Sequence, residues 1–141
     1  QDIVFKYQVL AQEKDITLSW DAPRDLPMVF ADIGLVERVL QNLLDNALRH
    51  TPVGGQVSIQ LKNTSNGVCI MVADTGPGIP EAQQAHIFER YRQLETKKAA
   101  GSGLGLAIVK KILDIHQATI HVRNREQSGA EFWFQLPMAV G

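Results

Sequence analysis

The sequence predicts a two-layer α/β sandwich, with a mixed β-sheet packed against about three helices. Residues 33–50 and 104–116 carry apolar side chains at helical spacing. Residues 56–63, 68–73 and 130–136 show strand patterns, joined by short turns rich in Gly, Asn and Ser. Strands grouped in this way, with amphipathic helices between them, favour helices packed on one face of a sheet. The 141 residues suffice for one domain with a single core.

Overall composition limits the class of partner. The chain has 14 basic and 15 acidic residues and a net charge of -1, so we expect no nucleic-acid partner and no membrane contact by this domain. Cys69 is the only cysteine, which excludes an internal disulfide and a cysteine-based metal site. No apolar run approaches the roughly 18 residues of a membrane helix, and no signal peptide is evident.

The first half of the chain alternates helix and strand patterns. The predicted elements are a helix tail at 3–13, a strand at 16–20, a loop at 23–27, a short strand at 28–31 and a long helix at 33–50. Asp32 is a good N-cap for the long helix, and Pro52 marks its end. The broad apolar face of this helix predicts that it packs on the sheet.

The second half is mainly strand. The predicted elements are strands at 56–63 and 68–73 with a hairpin turn at 64–67, a short helix at 80–87, a surface loop at 88–100, a helix at 104–116, and strands at 119–124 and 130–136. The six apolar residues at 68–73 predict a central strand that is buried on both faces.

A carboxylate and a glycine-rich turn follow this central strand. Asp74 ends the strand, and a charged group there is costly unless it is paired or hydrogen-bonded. Gly76 and Gly78 remove side chains just beyond it, so a ligand can approach the backbone closely. A flat ligand with an amino group would satisfy the carboxylate. The alternative is a capped turn in which Asp74 bonds its own backbone.

Polar side chains border the apolar face of the long helix. Asn42, Asn46 and Arg49 fall within a stripe about 60° wide. Asn is a mediocre helix former, and such local conflicts tend to mark functional sites. An Asn oxygen suits Mg²⁺, and an Arg one turn later can meet phosphates. The alternative is a solvated edge in which Asp45 and Arg49 form an ordinary ion pair.

A second glycine-rich segment leads into the last helix. The glycines at 101, 103 and 105 offer free backbone N–H groups at a helix N-terminus, which favours phosphate binding. The segment is neither a dinucleotide fingerprint nor a P-loop. The basic residues of the preceding loop would either fold over a polyphosphate or simply solvate the loop. Together with Asp74 and Asn46, these features indicate a nucleotide site.

In this order the motifs resemble those of the ATP-binding catalytic domain of sensor histidine kinases, of the superfamily shared with gyrase B, the heat-shock chaperone ATPase and the mismatch-repair ATPase. The similar segments are 37–52 (asparagine box), 74–79 (first glycine box), 87–91 (phenylalanine box) and 101–109 (second glycine box). The resemblance covers nearly the whole chain. It implies a Bergerat-type ATP-binding fold with ATP and Mg²⁺ as cofactors.

The resemblance also implies residue roles. Asp74 would accept a hydrogen bond from the adenine amino group, Asn46 would hold Mg²⁺, and Arg49 would meet phosphate oxygens. His50 stands where the family often has an aromatic that stacks on adenine, and residues 91–101 would form the ATP lid. The other nucleotide contacts implied are Gly76, Gly78, Ile79, Tyr91, Arg92, Gly101, Ser102, Gly103, Leu104, Gly105, Leu106 and Ala130.

Asn42 distinguishes branches of the superfamily. In the gyrase-like ATPases a Glu at this position is the general base for water, whereas the amide of Asn42 cannot take a proton. With Asn42, Asn46 and Arg49 as the catalytic residues, we expect transfer to a nucleophilic acceptor and not efficient hydrolysis. Three departures from the family pattern stand out: His116-Gln117-Ala118 replaces the usual His-Gly-Gly, Ala130 replaces a Ser or Thr, and the phenylalanine box, which continues Arg90-Tyr91-Arg92, is one residue short.

The phosphoacceptor is expected outside this chain. Residues 1–14 resemble the end of a linker helix from a dimerisation domain, and residues 15–141 resemble the ATP-binding domain. None of the four histidines has the context of a phosphoacceptor. We therefore expect transfer to a His in a dimerisation and His-phosphotransfer domain, then to the receiver domain of a response regulator. This would be the cytoplasmic part of a membrane-anchored sensor; the alternatives are an anti-sigma-type serine kinase or a non-catalytic nucleotide-binding switch.

Overall fold

The structure, a computed structural model, describes residues 2–24, 32–89 and 105–137. The helices in these ranges are α1 (Asp2–Glu13), α2 (Ile33–His50), α3 (Glu81–Gln84) and α4 (Gly105–Ile115). The strands are β1 (Thr17–Asp21), β2 (Gln56–Asn63), β3 (Gly67–Asp74), β4 (His121–Asn124) and β5 (Ala130–Pro137). The predicted strand at 28–31 lies outside the described residues, as does most of the predicted loop at 88–100.

The strands form one mixed sheet in the order β1-β2-β3-β5-β4. β1 runs parallel to β2, and the other neighbouring strands are antiparallel. β3 lies at the centre, between β2 and β5. The predicted two-layer α/β class is confirmed, and Asp74 emerges where the central strand ends.

The hydrophobic core lies between one face of the sheet and helices α2 and α4. Phe132 and Phe134 point into it from β5, and Leu43 and Leu44 point into it from α2. Full burial of one such side chain contributes about 1.5–3 kcal/mol, so this layer determines where α2 lies. Helix α1 packs beside it, against β1 and α2.

The two faces of β3 are buried to different extents. Ile70 and Val72 belong to the core and are at most 5% exposed, whereas Cys69 and Met71 on the opposite face are half-buried. The prediction that the strand is buried on both faces therefore holds on the outer face at Ala73, which is 5% exposed, and is wrong at Cys69 and Met71. The physical reason is that α2 and α4 both pack on the inner side of the sheet, and in the described ranges no helix covers the outer side chains of Cys69 and Met71.

Local sequence signals determine the two ends of α2. The Asp32 carboxylate accepts a hydrogen bond from the backbone N–H of Leu35 at 3.1 Å, as expected of an N-cap. At the other end the Thr51 hydroxyl donates to the carbonyl of Ala47 at 2.7 Å, and Pro52 follows. The predicted bounds of this helix are confirmed.

Helix α4 ends in a Schellman motif. The N–H of Ala118 donates to the carbonyl of Leu113 at 2.8 Å, and the N–H of Gln117 donates to Asp114 at 3.0 Å. Gln117 has φ = 57°, the left-handed conformation usually taken by glycine. Because this cap extends to residue 118, β4 begins at His121, two residues later than predicted.

The helix predicted at 80–87 is shorter in the structure. Only Glu81–Gln84 are helical, and Pro80 precedes the helix as its N-cap. The bonds from Gln83 N–H to Pro80 O (2.8 Å) and from Glu89 N–H to His86 O (3.0 Å) span three residues, so tight turns replace a regular helix. Phe88 then packs edge-on against Phe132, with ring centroids 6.1 Å apart, and holds the segment on the core.

Candidate functional site

The candidate site lies where β3 and α2 both end. Residues 74–79, which we call the glycine loop, leave the central strand and pass the last turn of α2. Gly76 is buried there, and a Cβ atom on it would lie 2.6 Å from the carbonyl oxygen of His50. Only glycine allows the loop to approach the helix this closely.

Asp74 is buried at the start of the loop, with 4% of its surface exposed. Its Oδ1 atom accepts hydrogen bonds from the backbone N–H groups of Gly76 at 2.9 Å and Ala130 at 3.3 Å. Among the described residues, both bonds to this carboxylate go to Oδ1 and none goes to Oδ2. The capped turn and the predicted ligand-binding role are therefore compatible, because the turn uses Oδ1 and a ligand would use Oδ2.

The polar stripe on α2 is partly buried. Asn46 is 7% exposed, and its Oδ1 atom accepts a hydrogen bond from Nη2 of Arg49 at 3.3 Å. Asp45 does not pair with Arg49; it accepts the hydroxyl of Tyr7 at 2.8 Å. The ordinary Asp45–Arg49 pair is thus absent from the part of the chain that the structure describes, and the Arg49 guanidinium lies beside Asn46.

Asn42 lies one turn earlier, against the first residue of α4. A Cβ atom on Gly105 would lie 3.3 Å from Oδ1 of Asn42. The next residue, Leu106, is 6% exposed and packs in the core. The predicted phosphate-binding helix start and the asparagine stripe are therefore neighbours.

His50 ends α2 beside the glycine loop. Desolvation lowers the pKa of its imidazole, the nearby charge of Arg49 lowers it further, and Asp74 partly opposes both. A lowered pKa favours the neutral ring at neutral pH. A neutral ring can stack on a base without placing a second cation beside Arg49.

Several predicted contacts lie outside the described residues: Tyr91, Arg92, Gly101, Ser102, Gly103 and Leu104. Ala130 contributes its backbone N–H to Asp74, as described above, and its side chain is buried. The remaining predicted residues of the glycine loop, Gly78 and Ile79, lie against β4. Gly78 has φ = 82°, and a Cβ atom there would lie 2.8 Å from Oδ1 of Asn124.

Sequence reasoning missed the residues that support the glycine loop from this side. They belong to the hairpin formed by β4 and β5, residues 121–137, which we call the supporting hairpin. Asn124 bonds to Ile79, and Arg125 donates to the carbonyl of Asp74 at 3.1 Å. Gly129 has φ = 96° and touches the backbone of Asp74 so closely that no side chain fits. Only the glycine at 129 gave a local signal, that of a turn.

Comparison with known proteins agrees with this geometry. A family model described as histidine kinase-, DNA gyrase B-, and HSP90-like ATPase matches residues 31–140. The chain belongs to this ATPase family. The resemblance predicted from the four motifs is confirmed, and with it an ATP-binding domain.

Relatives of this ATPase-family chain include a sensory kinase and a sensor protein. The adaptive-response sensory kinase SasA of Rippkaea orientalis is 42% identical over 140 residues, 98% of this chain and 36% of that protein. The alginate biosynthesis sensor protein KinB of Pseudomonas aeruginosa is 40% identical over 127 residues, 90% of this chain and 21% of that protein. The chain thus spans little more than a third of the SasA protein that it matches.

Solved structures agree with this placement. The catalytic domain of histidine kinase ThkA superposes with a TM-score of 0.80 at 32% identity, over 97% of this chain and 92% of that domain. Full-length ShkA in complex with AMPPNP gives 0.81 at 32% identity, over 99% of this chain and 30% of that one. The chain is therefore an ATP-binding domain of the histidine kinase type.

Two further observations bear on this ATPase-family domain. In residues 2–24, 32–89 and 105–137, each helix is too short or too polar to span a bilayer. The same residues contain no cluster of three His, Cys, Asp or Glu side chains that would hold a metal ion alone.

Proposed function

We propose that this domain binds Mg-ATP beside the glycine loop and presents the γ-phosphoryl group to a histidine outside this chain. The observation that carries the proposal is the buried Asp74 carboxylate, whose Oδ1 is held by two backbone N–H groups. An ionised carboxylate only accepts hydrogen bonds, so Oδ2 would accept the adenine amino group. His50, at the end of α2, would stack on the base.

The polar stripe of α2 would bind the phosphates. Asn46 would hold Mg²⁺ through its amide oxygen, and bound Mg²⁺ would offset the charge of the phosphate oxygens. Arg49 already lies beside Asn46, so its guanidinium can contact the same phosphates. Gly105 and Leu106 begin α4, where backbone N–H groups and the helix dipole favour anions.

The base pocket would be formed by residues of the glycine loop and β5, namely Gly76, Gly78, Ile79 and Ala130. The remaining predicted contacts, at residues 91–92 and 101–104, would close over the nucleotide.

Asn42 favours transfer over hydrolysis. Its amide cannot activate a water molecule, so the reaction depends on an acceptor that is itself nucleophilic. We place that acceptor on a histidine of a dimerisation domain, connected through the linker helix at residues 1–14. A receiver domain would take the phosphoryl group next, on the cytoplasmic side of a membrane-anchored sensor. A matched solved structure contains ThkA in complex with response regulator protein TrrA, which supports a response regulator as a partner.

The proposal is tested in two steps. Titration calorimetry with ADP, with and without Mg²⁺, measures nucleotide binding by the chain. The chain is then mixed with a separately purified His-bearing domain and γ-labelled ATP. We expect acid-labile, alkali-stable label on His, and its loss in Asn46→Ala but not in the control Asn66→Ala. Label on serine would indicate the serine kinase alternative, and tight binding without transfer would indicate the switch.

A further inference from the structure

The supporting hairpin contacts the glycine loop at both of its ends. At the far end, Oδ1 of Asn124 accepts the N–H of Ile79 at 2.8 Å, and Nδ2 of Asn124 donates to the carbonyl of Ile79 at 2.9 Å. One amide side chain thus binds both polar groups of a single backbone residue. The match needs a donor and an acceptor on the same side chain, which Asn provides and Asp does not.

At the near end, Arg125 and Ser128 contact the backbone that carries the carboxylate. Nη1 of Arg125 donates to the carbonyl oxygen of Asp74 at 3.1 Å. The Ser128 hydroxyl donates to the carbonyl of Thr75 at 3.3 Å. With the Ala130 N–H on Asp74 Oδ1, the hairpin contacts the main chain and the side chain of the base-binding residue.

These contacts hold a segment whose shape is otherwise weakly determined. Gly76 and Gly78 have no side chains to pack, and glycine loses more conformational freedom on ordering than any other residue. A loop that is ordered before binding avoids that cost when the nucleotide arrives. We infer that Asn124 and Arg125 are positioning residues that hold the glycine loop in the shape that binds adenine nucleotides.

The inference rests on the proposed function and assigns the loop a second layer of support. Neither side chain needs to touch the nucleotide, because each acts through backbone atoms of the loop. Arg125 lies near Glu131 at 4.0 Å, and Arg123 pairs with the same carboxylate at 2.7 Å without contacting the loop. Both arginines lie near Glu131 in the hairpin, but only Arg125 also bonds to the glycine loop. Arg123 variants therefore serve as controls for effects on hairpin stability.

The test measures the Kd for ADP with Mg²⁺ by titration calorimetry, at a temperature where circular dichroism shows each variant fully folded. We expect Arg125→Ala to raise Kd about tenfold, Arg125→Lys to recover most of the loss, and Arg123→Ala to leave Kd unchanged. Asn124→Asp should also raise Kd about tenfold, because a carboxylate oxygen would then face the Ile79 carbonyl. Asn66→Asp, the same substitution in the β2–β3 turn, is its control.

The outcomes separate the two hypotheses. If the wild-type chain fails to bind ADP, the proposed function and this inference both fall. If the wild type binds, equal Kd values for Arg125→Ala and Arg123→Ala would overturn the inference alone. Should Asn124→Asp not fold, the arginine series still decides the question, since the Arg123 and Arg125 side chains are 62% and 37% exposed and neither belongs to the core. Recovery by Lys would show that a cationic donor suffices at this position. Because Lys would also keep a charge near Glu131, the comparison of Arg125→Ala with Arg123→Ala, and not the recovery, separates loop support from hairpin stability.

Discussion

The two oxygens of Asp74 have different surroundings. Oδ1 is held by two backbone N–H groups, and neither bond depends on a ligand. These bonds stabilise the charge in a site that is 4% exposed. The residue can therefore stay in place without nucleotide, and no residue that the structure describes donates a hydrogen bond to Oδ2.

Asp74→Asn tests that division. The Asn oxygen can keep both backbone bonds, but its NH₂ group would face the adenine amino group, a donor opposite a donor. We expect the chain to remain folded and ADP affinity to fall at least about tenfold, as for loss of a hydrogen bond to a charged group. Titration calorimetry gives the affinity, and Asp114→Asn on the surface of α4 is the control. Unchanged affinity in Asp74→Asn would rule out the adenine role.

Among the elements, the supporting hairpin depends on one glycine. A Cβ atom on Gly129 would overlap the Asp74 carbonyl oxygen, and φ is 96°. Gly54 also has a positive φ, 86°, but no heavy atom lies within 4 Å of its Cβ position. The two positions share backbone strain and differ in available space.

Gly129→Ala and Gly54→Ala should therefore differ in stability. We expect Gly54→Ala to cost about 1 kcal/mol, from left-handed strain alone. Gly129→Ala should cost about 3 kcal/mol, because the hairpin must also move away from Asp74. Urea unfolding monitored by circular dichroism measures both values. Equal losses of unfolding free energy in the two variants would mean that Gly129 does not lie as close to the Asp74 backbone as described.

The end of α4 offers a stabilising change. Gln117 takes the left-handed conformation at φ = 57°, which costs a residue with a Cβ atom about 1–2 kcal/mol. We expect Gln117→Gly to raise the free energy of unfolding by about 0.5–1 kcal/mol, after the extra freedom of glycine in the unfolded chain is subtracted.

Asp15 provides the comparison for this change. It ends α1 in the same conformation, at φ = 59°, but its short polar side chain tolerates that region better. Asp15→Gly should therefore gain less than Gln117→Gly in the same urea experiment. A loss of stability in Gln117→Gly would show that the Gln side chain makes a compensating contact.

The sequence predicted the features that depend on contacts between residues close together in the chain, and it missed those that depend on distant residues. Helix α2 was predicted with its correct bounds because Asp32 and Pro52 act on adjacent backbone groups. The bond between Asn124 and Ile79 joins residues 45 positions apart, and the two are brought together because β5 pairs with both β3 and β4. No local pattern marks such a contact, so the loop was predicted and its support was not.

At the scale of the whole molecule, a hydrogen bond from one side chain of α1 connects this helix to α2, which carries Asn42 and Asn46. The Tyr7 hydroxyl donates to Oδ1 of Asp45 at 2.8 Å. Burial raises the pKa of this phenol, and the hydrogen bond and charge of Asp45 raise it further. Asp45 directly precedes Asn46, so the predicted linker helix is bonded next to the predicted metal ligand.

This hydrogen bond predicts a pH dependence of stability. In the unfolded chain Tyr7 loses its proton near pH 10, whereas the folded chain retains it at higher pH. The folded state then binds more protons, so stability falls as pH rises above about 10. We expect the unfolding free energy of the wild type to fall more steeply than that of Tyr7→Phe between pH 9 and 11.

Urea unfolding at several pH values measures this difference, because the other titrating groups are common to both proteins. Near pH 8 the wild type should be more stable than Tyr7→Phe by about 1 kcal/mol, the usual net contribution of one hydrogen bond to stability. If the unfolding free energies of the two proteins changed in parallel with pH across this range, the hydrogen bond between Tyr7 and Asp45 would not be maintained in solution.

The rigid Asp74 carboxylate also bears on which purine the site accepts. Guanine carries an oxygen where adenine carries its amino group, and that oxygen would meet Oδ2 as a second acceptor. Because the N–H groups of Gly76 and Ala130 both bond to Oδ1, rotation of the carboxylate away from the guanine oxygen would break these hydrogen bonds. A domain built in this way would discriminate against GTP by electrostatic repulsion between two oxygen atoms.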